Sequence, residues 1–359
     1  MTRIMMITPN FENNSLGRTW CLWMLARNLG WQADIYGVKG RRIWAPLADS
    51  DMAEYCHIPD NDKLRDLVLD DLVRVASQAD LIVAVKPLLT SYGVALEVSE
   101  RAKVPILLDI DDPDIEVRTT WKPRWERTAR WIAKPEYRQL RGLAKKVARA
   151  HGITVSNPVL QGIYGGNIIP HVREIVPERR ESTGTSPVVR FVGSVRGHKG
   201  IDVLRAAVSE VADLGVTLEI TDDPPEEVHA WETWLGTTGI AEGKRLVSGA
   251  DIIAVPSEDY SWSRAQLPAK LLDAMAAGRA IVASDLPTIT WATGNSALHV
   301  KAGSAPELAA ALRDLVDPEL RESLGAAAYE HASKNFTPEI LAPQWGQLCE
   351  QIVCDYKGK

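Results

Sequence analysis

FVGSVRGHKGIDVL, Phe191 to Leu204, begins as a short apolar strand, passes through a glycine-bearing loop with Arg196, His198 and Lys199, and opens a helix near Gly200. A helix N-terminus with open N–H groups beside two cations suits the oxygens of a phosphate or diphosphate. An exposed loop with incidental charges is an equally good reading of the spacing alone. Downstream, Val216 to Ile220, Asp251 to Val255 and Ala280 to Ala283 read as further strands, with helices expected at Gly200 to Leu214 and Pro268 to Ala277. Ser304 to Lys334 and Pro338 to Tyr356 continue as helical patterns. Short apolar runs alternating with amphipathic stretches build a parallel sheet covered by helices on both faces.

The same alternation occupies the first half. Ile4 to Ile7, Ala33 to Val38, Leu81 to Val85, Ile106 to Ile110, Ile153 to Val155 and Ile168 to Ile169 read as strands. Thr19 to Leu29 and Ala95 to Ala102 read as helices. Between the halves, PERRESTGTSP (Pro177 to Pro187) lacks large apolar residues and has the composition of an exposed linker. The expectation is an α/β protein with Rossmann-like domains over residues 1–177 and 188–335. Residues 336–359 form a last helix that returns to the N-terminal domain. Two such domains facing each other leave a cleft, and ligands bind beyond the carboxyl ends of the strands.

With 359 residues, 45% hydrophobic and 25% charged, the chain can fill two cores. Its formal charge of -6 argues against general nucleic-acid binding. No window reaches the length of a membrane span, and Met1 to Thr8 reads as a strand in place of a leader, so a cytoplasmic location is expected. Cys21, Cys56, Cys349 and Cys354 include no CxxC pair, so zinc or disulfide frameworks are unsupported and buried, inert thiols are expected.

The second half carries a further constellation in QLPAKLLDAMAAGRAIVASDLP, Gln266 to Pro287. Pro268 suits a first helical turn, Lys270 stands near the positive helix end, and Asp273 follows at helical spacing. A lysine there opposes the helix dipole unless an anion is shared, which hints at a phosphate; a merely solvated lysine is the alternative. In the first half, LLDIDDPD (Leu107 to Asp114) places carboxylates at a strand end, and TPNFENNSLGRTW (Thr8 to Trp20) offers Asn14, Ser15, Gly17 and Arg18 in the loop after the first strand. A helix cap at Ser15 or Asn14 is the structural reading of that loop. Asp109 and Asp111 also spell D-x-D, which elsewhere holds a divalent cation, while turn and capping roles account equally for Asp112 and Asp114.

Taken together, GSVRGHKG, VPS (Val255 to Ser257) and DAMAAGRAIVAS (Asp273 to Ser284) resemble the family-4 glycosyltransferases of the GT-B fold, in a variant branch with a P-x-K pattern at Pro268 to Lys270. VSNPVLQGIYGGNIIPHV before the linker extends the similarity. The resemblance implies sugar transfer from a nucleotide-sugar donor to an acceptor hydroxyl with retention of configuration, without a metal cofactor. The acceptor would be a small molecule, a glycan or a lipid-linked saccharide. By it, Lys199 and Arg196 stabilise the departing diphosphate. The donor side comprises Gly17, Ser194, Leu267, Pro268, Lys270 and Asp273, the last in place of a glutamate that holds the ribose. Asp111 stands where the family has histidine and counts among the catalytic residues, and Asn14, Arg18 and Asp112 face the acceptor. Two departures stand out: the family's arginine falls on Ser194 and its first glutamate on Ala265. They keep open a GT-B nucleotide-binding protein without transferase activity, or a nucleotide-sugar isomerase or hydrolase.

One stretch stands apart in charge. From Arg118 to Arg149 there are eleven Lys or Arg against two Glu, with Trp121, Trp125 and Trp131 interleaved. The pattern suits an anionic bilayer surface at the inner face of the membrane, an acidic acceptor, or a solvated helical face with partly buried tryptophans.

Overall fold

The computed structural model describes residues 2–38, 42–57, 65–177 and 184–358. The chain divides into two compact units, Met1–Pro170 with Pro338–Lys359, and His171–Thr337. Residues 178–183 of the expected linker lie outside the described residues. The second unit begins ahead of that polar run, since Val176 N–H bonds to Ala276 O at 3.1 Å and Arg173 N–H to Phe336 O at 2.8 Å.

In the first unit the strands are β1 (Arg3–Thr8), β2 (Gln32–Gly37), β3 (Cys56–His57), β4 (Leu81–Val85), β5 (Ile106–Ile110), β6 (Gly152–Val155) and β7 (Asn167–Ile168). They form one parallel sheet in the order β3-β2-β1-β4-β5-β6-β7. Every residue of β4 and β5 is buried, as a sheet covered on both faces requires. Helices α1 (Ser15–Asn28), α2 (Arg65–Ala76), α3 (Val94–Ala102), α4 (Asp114–Arg118), α5 (Arg124–Ala133), α6 (Pro135–Ala144) and α7 (Pro158–Tyr164) supply the crossovers.

The second unit repeats the plan with β8 (Val188–Phe191), β9 (Thr217–Ile220), β10 (Glu232–Trp234), β11 (Ile252–Val255), β12 (Ala280–Ser284) and β13 (Leu298–Val300), parallel in the order β10-β9-β8-β11-β12-β13. Its helices are α8 (Ile201–Ser209), α9 (Ile240–Gly249), α10 (Ser261–Ala265), α11 (Ala269–Ala276), α12 (Pro287–Thr293), α13 (Ala305–Asp314) and α14 (Pro318–Asn335). Period-two alternation splits its core cleanly. Ile252, Ala254 and Val282 pack with Leu204 and Leu308 on one face, while Ile253, Val255, Ile281 and Ala283 pack with Leu271, Met275 and Ala328 on the other.

The last helix, α15 (Pro338–Lys357), belongs to the first unit and lies along α1. Its Trp345 is fully buried, tilted against Trp31 with ring centroids 5.9 Å apart. Cys21 and Cys349 are buried as expected of inert thiols, Cys56 is half-buried, and Cys354 is exposed.

Some elements differ from the sequence reading. The helix expected through Leu214 stops at Ser209, and the pattern from Ser304 to Lys334 is two helices. Asp317 breaks the latter by accepting the Glu319 N–H at 2.9 Å, with Pro318 at the first helical position. Strands β3, β10 and β13 have two or three residues, too few to show an alternation.

Each strand order reverses once, between β1 and β4 in the first sheet and between β8 and β11 in the second. Loops leaving the carboxyl ends of those strand pairs diverge and leave room for a ligand. The second site therefore draws on the segments after Phe191 and Val255, and the first on those after Thr8 and Val85, with the segment after Ile110 of the adjacent β5 beside them.

Candidate functional site

In the second unit the loop after β8 is tied down by its own backbone. Gly193 N–H donates to Thr221 Oγ1 at 2.7 Å and Val195 N–H to Asp222 Oδ2 at 2.5 Å. Ser194, Val195 and Arg196 are exposed at its crest. A single 3₁₀ turn, Gly197–Lys199, leads to Gly200 at φ +67°, from which α8 starts. A Cβ at Gly200 would overlap the Pro256 carbonyl oxygen, so glycine is required both by the left-handed backbone and by the approach of the loop after β11. The two loops also join where Glu258 N–H bonds to His198 O at 3.0 Å.

Lys199 Nζ donates to Gln266 Oε1 at 3.2 Å, and Thr288 Oγ1 donates to Gln266 O at 2.7 Å. This places Lys199 beside the entry to α11. Pro268 is the cap preceding that helix, at φ −66° and ψ 123°, one position earlier than the sequence suggested. Leu267, expected on the donor side, packs its side chain into the core with Leu271 and Ile289, which leaves only its backbone for a ligand. Ala265, at the position of the family's first glutamate, is fully buried.

Lys270 lies in the first turn of α11, and its Nζ is 3.1 Å from Asp273 Oδ2. The anion that relieves its conflict with the helix dipole is thus in the same helix. Asp273 Oδ1 pairs with Arg173 Nε. Burial alone would push the Asp273 carboxyl up, but Arg173 and Lys270 outweigh it and hold the group below the ordinary carboxylate range. Asp273, read as the ribose contact, therefore has both oxygens already engaged by cations. Arg173 also donates to Val172 O at 2.6 Å and Ala269 O at 3.3 Å. Sequence reasoning passed over this arginine; its only signal is a lone cation in IIPHVREIV, Ile168 to Val176, amid apolar neighbours.

His198, between Arg196 and Lys199, is held below the usual imidazole range by partial burial and by the repulsion of those two cations. The loop therefore keeps it neutral near pH 7, leaving Lys199 and Arg196 as the cations of the stretch.

The first unit carries a different arrangement. After β4, Lys86 adopts φ +67°, a left-handed conformation that is uncommon for a non-glycine residue. Its buried Nζ lies 2.8 Å from Asp111 Oδ1, 2.7 Å from Asp112 Oδ2 and 3.0 Å from Asp114 Oδ2. Burial is offset by these three carboxylates, which raise the lysine well above its usual value and keep it charged. Desolvation dominates at Asp111 and, with repulsion from Asp112 and against the attraction of Lys86, pushes its carboxyl up to about 7. The three carboxylates could converge on a cation, and the lysine ammonium already stands among them. The D-x-D pair is not presented jointly: Asp109 takes a fork from Arg18, with Nε at 2.8 Å and Nη2 at 2.7 Å, and a bond from Thr154 Oγ1 at 2.7 Å.

That fork corrects the reading of Arg18. The residue is 1% exposed inside α1, and its remaining donors reach Ile169 O at 2.7 Å and Pro170 O at 3.0 Å, so it braces the sheet and offers nothing to an acceptor. Gly17 is likewise helical, its N–H bonded to Asn14 O at 3.0 Å, and does not form a phosphate-hugging turn. Asn14 is exposed at the helix start without a capping side-chain bond, whereas Asn13 Oδ1 accepts the Ser15 N–H at 2.9 Å. Asn14, Asp111 and Asp112 thus remain at the strand ends of the first unit, and Arg18 does not join them.

Residues 186–318 match the family model described as glycosyl transferases group 1. No curated protein matches the chain by sequence. Among solved structures the fold is similar to that of Anabaena HepE in complex with UDP-glucose, at TM-score 0.74 and 15% identity over 98% of this chain and 100% of that one. Sucrose-phosphate synthase from Thermosynechococcus elongatus gives a TM-score of 0.71 at 17% identity, covering 99% and 100% of the two chains. A glycosyltransferase from Rickettsia africae gives 0.67 at 12% identity over 98% of each. The two-unit α/β architecture is the GT-B fold.

Proposed function

We propose that this chain moves a sugar from a nucleotide-sugar donor to an acceptor hydroxyl, with retention of configuration and without a metal ion. The observation that carries the proposal is the second-unit loop from Gly193 to Gly200, which sets Lys199 and Arg196 before α8 and fastens Lys199 to the entry of α11, inside the segment that matches a glycosyltransferase family. Backbone N–H groups at a helix start and fixed cations stabilise charge as it develops on a leaving diphosphate. Lys199 and Arg196 act on that charge, and Lys270 assists in binding the donor. Asp273, held by Arg173 and Lys270, orients Lys270 and has lone pairs left to accept a ribose hydroxyl.

HepE has been solved with UDP, with UDP and glucose, and with UDP-glucose, which supports a nucleotide-sugar donor here. On the first unit, Asp111 and Asp112 at the end of β5 and Asn14 before α1 are assigned to the acceptor. Because the Lys86 ammonium already stands among the three carboxylates of the acidic cluster, catalysis is assigned to protein charges. The acceptor oxygen attacks from the face the diphosphate leaves, and no protein nucleophile is used.

Thermal unfolding in the presence of UDP, GDP, ADP, TDP and CDP, with and without magnesium, tests the donor site. One diphosphate at about 100 times its dissociation constant should stabilise the protein by about 2.7 kcal/mol, with no requirement for magnesium. If no diphosphate shifts the transition, the donor assignment is wrong. If nucleotide binds but no diphosphate is released from any donor and acceptor pair, the chain is a binding protein on this scaffold.

A further inference from the structure

Helix α5, RWERTARWIA from Arg124 to Ala133, reverses the usual arrangement of an amphipathic helix on a globular domain. Trp125, Ala129 and Ile132 fall at helical spacing on one face, and that face points outward: Trp125 is 74% exposed and Ile132 73%. The charged face turns inward instead, with Glu126, Arg127 and Arg130 half-buried and Arg130 Nε bonded to Glu126 Oε1 at 2.9 Å. No residue of α5 is buried. The following helix α6 behaves normally, burying Tyr137, Leu140 and Leu143. Beside the stripe, the Arg141 guanidinium lies 5.6 Å over the half-exposed Trp131 ring.

Exposing a tryptophan and an isoleucine on one helix face is unfavourable in water, and such an apolar stripe rimmed by charge marks an interaction surface. The charge around it decides which. Eleven cations against two anions between residues 118 and 149 stand in a chain of net charge -6, so a second copy docked face to face would oppose like charges. Tryptophan rings and cations side by side match the boundary between anionic headgroups and acyl chains, where the ring sits shallowly and the cations pair with phosphates. Among the described residues no helix is long and apolar enough to cross a membrane, so contact would be along the surface.

We propose that α5 docks this protein on an anionic phospholipid bilayer, with Trp125, Ala129 and Ile132 entering the headgroup region and Arg124 and Lys134 flanking them against lipid phosphates. This surface is independent of the donor loop in the second unit, and lipid binding can be read with no sugar present.

The test is co-sedimentation of the full chain with vesicles of phosphatidylcholine alone or with about one-third phosphatidylglycerol. The wild type should partition onto the anionic vesicles at least about tenfold more than onto the neutral ones and lose that preference at high salt. Trp125→Ser with Ile132→Ser, and separately Arg124→Glu with Lys134→Glu, should each weaken anionic partition about tenfold at unchanged thermal unfolding. Four outcomes would overturn the proposal: no binding to anionic vesicles, equal binding to both compositions, undiminished binding by the serine pair, or a dimer in sedimentation velocity that the serine pair dissolves. A blue shift of tryptophan emission on anionic vesicles, absent in the serine pair, would support insertion over adsorption by charge alone.

Discussion

Arg173 and Asp273, 100 residues apart in the chain, form a buried ion pair at the side of α11 that leads to Lys270. Both side chains are less than a tenth exposed, so neither charge is relieved by water. Truncating one member of a buried pair typically costs about 3–5 kcal/mol, whereas replacing both by apolar groups of similar size costs far less. Arg173→Ala should therefore destabilise the second unit by that amount in urea unfolding. Arg173→Met with Asp273→Leu should recover most of it. A fully stable Arg173→Ala would show that Lys270 alone satisfies Asp273.

The two lysines should separate by kinetic effect. Lys199, bonded to Gln266 and set before α8, acts where charge develops, so Lys199→Ala should lower kcat at least about a hundredfold with an unchanged unfolding temperature. Lys270 is already shared with Asp273, so Lys270→Ala should raise KM for the donor about tenfold, or ~1.4 kcal/mol of binding, with a smaller change in kcat. Initial rates over a range of donor concentration distinguish the two.

Gly200 tests whether the donor loop must sit against the loop after β11. Gly200→Ala places a methyl group on the Pro256 carbonyl and an L side chain at φ +67°. The backbone conformation alone costs about 1–3 kcal/mol, and the overlap adds to it by pushing the loops apart. The variant should unfold at lower urea and lose diphosphate binding, while Gly197→Ala, with open space at its Cβ, should do neither.

How much of this was legible from sequence follows the range of the interactions involved. Strand runs such as Leu81–Val85 and the Gly-His-Lys-Gly turn, Gly197 to Gly200, announce themselves within a few residues, because hydrophobic period and turn chemistry are local. Arg18 misled for the opposite reason: a cation in a polar stretch reads as a loop contact, and its partner Asp109 lies 91 positions away. Arg173 was missed on the same ground. Lys86 carries no local mark at all, since neither its left-handed backbone nor its three carboxylate partners follow from VAVKPLL, Val83 to Leu89. Nor could the order of charges along α5 tell which face would turn outward; that depends on how α6 anchors the pair through Tyr137, Leu140 and Leu143.

The last prediction concerns pH at the Asp111 site. Burial, outweighing the pull of Lys86, pushes the folded carboxyl up to about 7, against 3.8 for an ordinary solvated aspartate. Between those two values the folded state binds the proton and the unfolded state does not. The slope of stability with pH from this group is therefore negative: its contribution grows as pH falls from about 7 toward 4 and is lost as pH rises through 7. Asp111→Asn mimics the neutral form at every pH and removes this dependence. The stability of the wild type relative to the variant should thus decline between pH 5 and about 8, measured by urea unfolding across that range. If Asp111 contacts the acceptor, kcat/KM of the wild type should also show an inflection near pH 7 that the variant lacks. A parallel pair of stability curves would mean that Lys86 keeps Asp111 ionised throughout, and that the lysine, with Asp112 and Asp114, carries the charge balance of the site by itself.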